Sequence, residues 1–151
     1  MLMSSICESG TGAGTILSVA SNGLYLYDAK LQMLRPVLTD RINGAILHPA
    51  LTVIRNDHRG TLLIGSNGEL FRYDPRTAEA EIIGTDTSGV SSMVVPRDTA
   101  EDFIWIGDRK RLIQLDQNTG EILRQWTMTV YTLFEDRRGR LWIGTSKGLM
   151  R

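Results

Sequence analysis

The chain has 151 residues, of which 42% are hydrophobic, and this is enough for one domain with a sizeable core. Its 17 Lys and Arg balance its 17 Asp and Glu, so the formal net charge is zero. This balance argues against a dedicated nucleic-acid binder and against a polybasic membrane-surface protein, since both carry a basic excess.

The predicted elements are short strands. Apolar runs alternate at period two, and turn sequences such as "SNG", "NTG" and "DRRG" interrupt them at intervals too short for helices. In chain order the predicted strands are 4–7, 16–19, 24–27, 33–38, 51–55, 61–65, 70–73, 80–83, 91–95, 103–107, 112–115, 121–126, 130–135, 141–144 and 148–150.

Four segments of this series resemble one another. Each has an apolar run, a small residue, a polar turn and a second apolar run, and the small residues are Ala20, Gly65, Gly107 and Gly144. A period of about 40 residues is typical of a four-stranded propeller blade or of a helical repeat, and the strand pattern favours the propeller.

The sequence therefore predicts one all-β domain over residues 1–151, a partial β-propeller. The predicted blades cover residues 3–39, 42–84, 89–127 and 129–151. The first three have four strands each, and the fourth lacks its outer strand.

The last unit, "TLFEDRRGRLWIGTSKGLMR" (132–151), resembles the two-component-regulator propeller repeat. That repeat has an apolar strand, Glu-Asp, a Gly turn, "LWIGT" and a second turn before "GL". Residues 53–74 match with Leu63 in place of the usual Trp, and residues 94–116 match with Arg111 in place of the second Gly. In the first unit, Ser18 and Ala20 are aligned with the Trp and the Gly of the repeat.

The motif residues are expected to build the fold. A Trp before Ile-Gly can fill the wedge between neighbouring blades, the Gly permits close backbone approach, and the Asp and Gly of "EDRRG" suit a tight turn. In the two best copies these structural motif residues are Trp105, Gly107, Asp136, Gly139, Trp142 and Gly144.

No catalytic, metal or cofactor site is predicted. Glu135 and Asp136 are adjacent, so on a strand they would point to opposite faces and could not act as a paired acid and base. His48 and His58 have no second ligand at a metal-binding spacing. The "GTGAGT" stretch (10–15) lacks the phosphate-loop spacing and a following helix, and is interpreted as a hairpin loop.

Two basic clusters are the candidate ligand or partner site. Arg109, Lys110 and Arg111 lie on one predicted turn, and Arg137 and Arg138 lie on another. Together they could form one basic rim that recognises an anionic glycan or a partner protein. The alternative, that both are solvated turns without a ligand, stays open on the sequence alone.

The resemblance implies a non-catalytic sensor or ligand-binding segment in the extracytoplasmic, periplasmic input domain of a bacterial histidine kinase or hybrid two-component protein. A carbohydrate ligand is the implied class. A propeller lectin, a protein-interaction scaffold, and a fragment of a propeller lyase or glycosidase are the alternatives. The N-terminus lacks the features of a signal peptide, and no apolar run reaches the roughly 20 residues that span a bilayer.

A partial ring would leave two blade faces exposed. Closure by a second copy of the chain, by the rest of a longer chain or as a small four-bladed ring would cover them. A homo-oligomer is therefore expected. The lone Cys7 cannot form an internal disulfide, so the fold does not depend on an oxidising compartment.

Overall fold

The computed structural model describes residues 3–8, 16–20, 23–28, 31–37, 51–66, 68–77, 79–85, 87–98 and 100–151. These ranges contain fifteen β-strands, and none of them holds a helix that is long and apolar enough to cross a membrane. The strands are β1 (Met3–Glu8), β2 (Ile16–Ala20), β3 (Gly23–Asp28), β4 (Met33–Pro36), β5 (Leu51–Asn56), β6 (Leu62–Ser66), β7 (Glu69–Asp74), β8 (Glu79–Thr85), β9 (Ser92–Val94), β10 (Phe103–Gly107), β11 (Arg111–Asp116), β12 (Ile122–Thr127), β13 (Val130–Glu135), β14 (Leu141–Thr145) and β15 (Gly148–Met150).

The strands form four antiparallel sheets in which sequence neighbours are also neighbours in space. The first sheet is β1-β2-β3-β4, the second β5-β6-β7-β8, the third β9-β10-β11-β12 and the fourth β13-β14-β15. The predicted fold class, an all-β partial propeller with three four-stranded blades and most of a fourth, is confirmed.

The core consists of side-chain layers between successive sheets. On β6 the alternation of the strand is complete: Leu62 and Ile64 pack in the layer shared with the first sheet, and Leu63 packs in the layer shared with the third. All five residues of β6 are buried because both faces of the second sheet are covered. A third layer, around Val130 and Ile143, joins the third sheet to the fourth.

A glycine on the second strand of a sheet forms a slot for a valine of the next unit, which is Val90 in the link before β9 and Val130 at the first residue of β13. A Cβ atom added to Gly65 would lie 2.8 Å from Cβ of Val90, and one added to Gly107 would lie 2.8 Å from Cβ of Val130. Non-bonded Cβ atoms essentially never approach other heavy atoms this closely, so no larger residue fits without movement. The repeated Gly therefore sets how closely successive sheets approach.

Three of the inner strands, β1, β5 and β13, carry a bulge near their first residue. On β5 the register shifts between Leu51 and Val53, so Thr52 is skipped, and its hydroxyl donates to the Gly65 carbonyl at 3.2 Å. On the third sheet the Ser91 hydroxyl donates in the same way to the Gly107 carbonyl at 2.9 Å. The bulge thus turns a polar side chain back onto the slot glycine.

The first sheet corrects one alignment made from the sequence. Val19 pairs with Leu24, in the register that Gly65 shares with Leu70 and Gly107 with Leu112. The slot position of the first unit is therefore Val19 and not Ala20. The same shift places Leu17, and not Ser18, at the Trp position. The alignment of the first unit was wrong by one residue because the "SNG" stretch lies one position later in the first hairpin than in the second.

Candidate functional site

The turns of the four sheets lie on two opposite rims. The first-turn rim carries the described turns between the first and second strands, at 57–60, at 95–98 with 100–102, and at 136–140, together with the turn at 117–120. The second-turn rim carries the turns between the second and third strands and the links between sheets; the Val130 N–H donates there to the Asp108 carbonyl at 3.0 Å. A ligand could approach either rim.

Asp57 builds the tight turn of the second sheet on the first-turn rim. Its Oδ1 accepts the backbone N–H groups of Arg59 at 2.8 Å and Thr61 at 3.0 Å, and its Oδ2 accepts the Thr61 hydroxyl. Asp57 is buried, and these bonds satisfy its carboxylate. Because its oxygens are used within the turn, this residue shapes the rim.

Asp136 builds the equivalent turn of the fourth sheet. Its Oδ2 accepts the Trp142 indole N–H at 2.9 Å and the Arg140 Nε–H at 2.7 Å, and its Oδ1 accepts the Arg138 N–H at 2.8 Å. The hydrogen bond from Trp142, followed by those from Arg138 and Arg140, holds the pKa of Asp136 far below its usual range. This carboxyl is therefore ionised throughout the physiological range.

A small cleft opens on the first-turn rim between the second and third sheets. It has a volume of about 90 Å³, and we call it the first-turn cleft. Arg59 of the second sheet bridges to the third sheet at this cleft, through an ion pair with Asp102 and a 2.7 Å hydrogen bond to Asn118 Oδ1. Its lining residues are Asp57, His58, Arg59, Val95, Pro96, Glu101 and Gln117.

Gln117 is the unusual member of this lining. The residue is only 3% exposed, and its side-chain Oε1 is buried without a hydrogen-bond partner. His58, also in the lining, has a positive φ of 62° although it is not a glycine. Backbone strain and unpaired buried polar atoms are both features that cluster at binding sites.

A larger cavity lies beside the first-turn cleft, along the inner strands, and we call it the channel cavity. Its volume is about 350 Å³, and His58 lines both spaces. Each of the four sheets contributes to its walls, for example through Cys7, Arg55, Val95 and Glu135. Arg55 is held there by hydrogen bonds from Nε to the Met93 carbonyl and from its terminal NH group to the Ile54 carbonyl.

A third space, on the second-turn rim, is rich in hydroxyl groups. It measures about 490 Å³ and is lined by Thr52, the segment 88–91 and Arg109. Ser91 Oγ already donates to backbone carbonyls, including that of Val130 at 2.7 Å. Arg109 is exposed, so it is the basic residue at this space that faces solvent.

The two basic clusters predicted from the sequence are not brought together. Arg109 and Lys110 lie in the turn before β11, and Arg111 is the first residue of β11. This turn is beside the start of β13, where the Thr129 hydroxyl donates to the Arg109 carbonyl at 3.1 Å. Arg137 and Arg138 follow the end of β13 and lie on the opposite rim. The expectation of one basic rim is therefore corrected, because a full strand separates the clusters.

Other candidate residues have separate positions. The Glu135 Oε2 accepts the Arg97 N–H at 2.9 Å from the neighbouring sheet, whereas Asp136 bonds within its own turn. Among the described residues, no three His, Cys, Asp or Glu side chains are placed to hold a metal ion. His48 and residues 10–15 lie outside the described ranges.

Residues 126–147 match the protein family described as "Two component regulator propeller". This segment is similar to a two component regulator propeller repeat. It runs from the end of β12 through β13, the Asp136 turn and β14. A search of curated proteins finds no significant match.

Solved structures with the same fold are more numerous. The extracellular domain of BT4673 from B. thetaiotaomicron, described as a hybrid two component system, is 19% identical, with a TM-score of 0.67 over 97% of this chain and 26% of its own. The equivalent domain of BT3049 is 15% identical, with a TM-score of 0.68 over 97% and 28%. Hydrazine synthase from Kuenenia stuttgartiensis is 12% identical, with a TM-score of 0.69 over 93% and 41%.

The chain thus spans about a quarter of the length of the two sensor domains it resembles. At these identities the likeness shows the fold. Because one of the similar structures is an enzyme, the shared fold does not by itself decide between sensing and catalysis.

The tryptophans of the repeat have different surroundings. Trp105 packs in the layer between the third and fourth sheets, with its ring 5.7 Å from that of Trp126. Trp142 lies on the outer face of the fourth sheet, where the Arg140 guanidinium is 5.6 Å from its ring. Gly107 receives Val130, and Gly139 turns the chain with a φ of 72°.

None of the described residues of another sheet packs on the outer face of the fourth sheet, which we call the open terminal face. The register places Phe134 beside Trp142, and Thr132 beside Gly144 and Leu149. Phe134 is 60% exposed and Leu149 is 69% exposed. Gly144 has the position of the slot glycines, but a Cβ added there meets atoms of Thr132 in its own sheet.

The sequence did not point to Gln117, Arg55 or Arg97. They lie on different strands and turns, and no spacing relates them. The first-turn cleft comes from three turns of two sheets, so only the packing of the sheets reveals it. The one signal available was the position of Gln117 directly after the Asp that closes the third apolar run.

Proposed function

We propose that this chain is a non-catalytic, extracytoplasmic sensor segment of a two-component signalling protein and that it recognises carbohydrate. The observation that carries the proposal is the two component regulator propeller repeat at 126–147, set in four stacked sheets. The fold shared with extracellular domains of proteins described as hybrid two component systems supports it. The role would be to bind a ligand and pass the change in geometry to an output module.

The carboxyl groups support a binding role. General acid catalysis at neutral pH needs a carboxyl with a raised pKa. Among the described residues, the carboxyls whose pKa departs clearly from the usual value are Asp74, Asp116 and Asp136, and in all three the pKa is lowered. The cause is hydrogen bonding within turns. These groups suit a rigid scaffold rather than proton transfer.

The channel cavity and the first-turn cleft supply the surface for a ligand. Together they expose polar groups and apolar side chains from several strands, which is the mixture that sugar hydroxyls and sugar ring faces require. The second-turn rim offers Arg109 and hydroxyl groups as an alternative surface.

The test measures binding and turnover on the same ligands. The purified chain is titrated calorimetrically with cello-, xylo-, manno- and galacto-oligosaccharides, and each mixture is then assayed for new reducing ends and for unsaturated products. We expect saturable binding without product. Hydrolysis or elimination would identify a glycosidase or lyase instead, and the absence of binding would favour a protein-interaction scaffold.

A further inference from the structure

We propose that the first-turn cleft is the subsite that takes a hydroxyl group of a neutral oligosaccharide, and that the hydroxyl donates its proton to Gln117 Oε1. This inference rests on the proposed carbohydrate recognition and specifies where it occurs. It selects the first-turn rim over the second-turn rim, which carries Arg109.

The position of Gln117 is fixed by its backbone. Its N–H donates to the Asp102 carbonyl at 2.9 Å, and its own carbonyl accepts a hydrogen bond from the Arg72 guanidinium of the second sheet. The side chain is therefore presented at the junction of the two sheets. Its Oε1 is buried and unpaired, and such an atom is destabilising unless something donates to it.

The charged neighbours of Gln117 are engaged elsewhere. The Asp57 oxygens accept hydrogen bonds from Arg59 and Thr61, and the Arg59 guanidinium is tied to Asp102 and Asn118. A molecule that enters the cleft can supply the donor that Gln117 Oε1 lacks among the described residues. A hydroxyl group is suitable because it donates one hydrogen bond and can accept another.

The size of the cleft limits what enters. About 90 Å³ has room for a few water-sized groups, so a hydroxyl or hydroxymethyl group fits whereas a whole sugar ring does not. The rest of the ligand would continue past His58 into the channel cavity of about 350 Å³. This arrangement favours an oligosaccharide over a single sugar.

The charges of the cleft favour a neutral sugar. Asp57 and Glu101 both contribute carboxylates to its lining, and the positive charge of Arg59 is paired with Asp102. A uronic acid placed here would bring a third carboxylate close to two others. We therefore expect neutral oligosaccharides to bind more tightly than acidic ones of equal length.

The decisive variant is Gln117→Met, which removes the acceptor and keeps the length of the side chain. The matched control is Gln125→Met, on the exposed outer strand β12, where Gln125 accepts a hydrogen bond from Arg111. Calorimetric titration with the tightest-binding neutral oligosaccharide of the panel should show a loss of roughly tenfold or more for Gln117→Met, as expected for one lost hydrogen bond in a buried site. The control should bind as the unaltered chain does.

Thermal unfolding separates a binding role from a structural one. Because Gln117 Oε1 has no partner in the protein, Gln117→Met should leave the melting temperature without ligand unchanged or raise it. A marked fall in the melting temperature would show that the side chain has a structural partner, such as a buried water, and would overturn the proposal.

Two further variants test the cleft without altering Gln117. Glu101→Trp, at an exposed position of the lining, should block the cleft and weaken binding, whereas Arg109→Ala on the opposite rim should not. Unchanged affinity in both cleft variants, with binding intact in the unaltered chain, overturns the subsite but leaves the proposed function. Absence of oligosaccharide binding in the unaltered chain overturns both.

Discussion

The contact between Gly107 and Val130 shows how single residues set the spacing of the sheets. Both residues are buried, and the valine lies where a Cβ of residue 107 would be. We expect Gly107→Ala to destabilise the chain by about 1–3 kcal/mol, because overpacking forces a shift of the backbone or of the valine. Chemical denaturation monitored by Trp fluorescence measures this loss.

The partner residue provides the control for this prediction. Val130→Ala removes the side-chain methyl groups and alone leaves a small cavity, but in combination with Gly107→Ala it should restore part of the lost stability. Additive losses in the double variant would show that the two positions do not share one slot.

Asp136 makes stability depend on pH. Its pKa in the folded chain is lowered by the Trp142, Arg138 and Arg140 hydrogen bonds. The folded state therefore stabilises the ionised form of this carboxyl more than the unfolded state does. This contribution is present above about pH 4, the ordinary pKa of Asp, and is lost as the pH falls toward the folded-state value. Asp74, whose pKa is lowered to about 2 by Arg76, acts in the same direction.

We therefore expect Asp136→Asn to lower the melting temperature at pH 7 and to flatten its decline between pH 5 and pH 2. Scanning calorimetry across this range is the measurement. Asp98→Asn is the control, because Asp98 is exposed and accepts the Ala100 N–H at the edge of a loop. Equal acid profiles for Asp136→Asn and the unaltered chain would contradict the assigned role.

At the scale of elements, burial differs strongly between the second strands and the last strand. All residues of β6 are buried, whereas all residues of β15 are exposed. Hydrogen exchange of backbone amides should accordingly be slowest in β6 and β10 and fastest in β15 among the described strands. Mass spectrometry of peptic fragments would report this order, and equal protection of β6 and β15 would be inconsistent with the layers described.

Most strands could be predicted from the sequence because apolar alternation and turn residues mark them locally. Strands β10, β13 and β15 have the predicted bounds. Strand β5 differs by one residue at one end, and β6 and β7 differ by one residue at each end. The register of the first hairpin was wrong because "SNG" can occupy two positions in a hairpin of the same length. Only the pairing of Val19 with Leu24 distinguishes them.

The rim on which a turn lies could not be read from its composition. Both basic clusters are on turns, but the direction of the strand before each turn assigns them to opposite rims. The first-turn cleft could not be predicted from the sequence for a related reason. Gln117, Asp57 and Glu101 belong to three turns, and the contact between sheets that unites them is not local in sequence.

Within the described part of the chain, two sheet faces are left uncovered. One is the open terminal face; the other is on the first sheet, where Ile6 is 56% exposed and shares its face with Tyr25 and Pro36. The internal layers join a Trp- or Leu-bearing face of one sheet to an Ile- and Leu-bearing face of the next. The two uncovered faces have these same complementary characters, so we propose that a second copy of the chain covers them.

If a second copy covers these faces, the mass measured by light scattering should be twice that of a single chain. Leu149→Glu and Ile6→Glu, one on each uncovered face, should each shift it to monomer, since a buried unpaired charge opposes association. Leu123→Glu is the control, as Leu123 is 50% exposed on β12. A monomeric unaltered chain would contradict the pair and indicate that the rest of a longer chain covers these faces.

The slots formed by Gly65 and Gly107 bear on how such a chain can change its length. Val90 and Val130 hold the same position relative to the glycine of the preceding sheet. Removal of one whole unit would place Val130 over Gly65 with the same shape of contact. Gene duplication or deletion in steps of a complete unit is thus compatible with the packing, whereas a gain or loss of any other length would bring a mismatched residue to the slot.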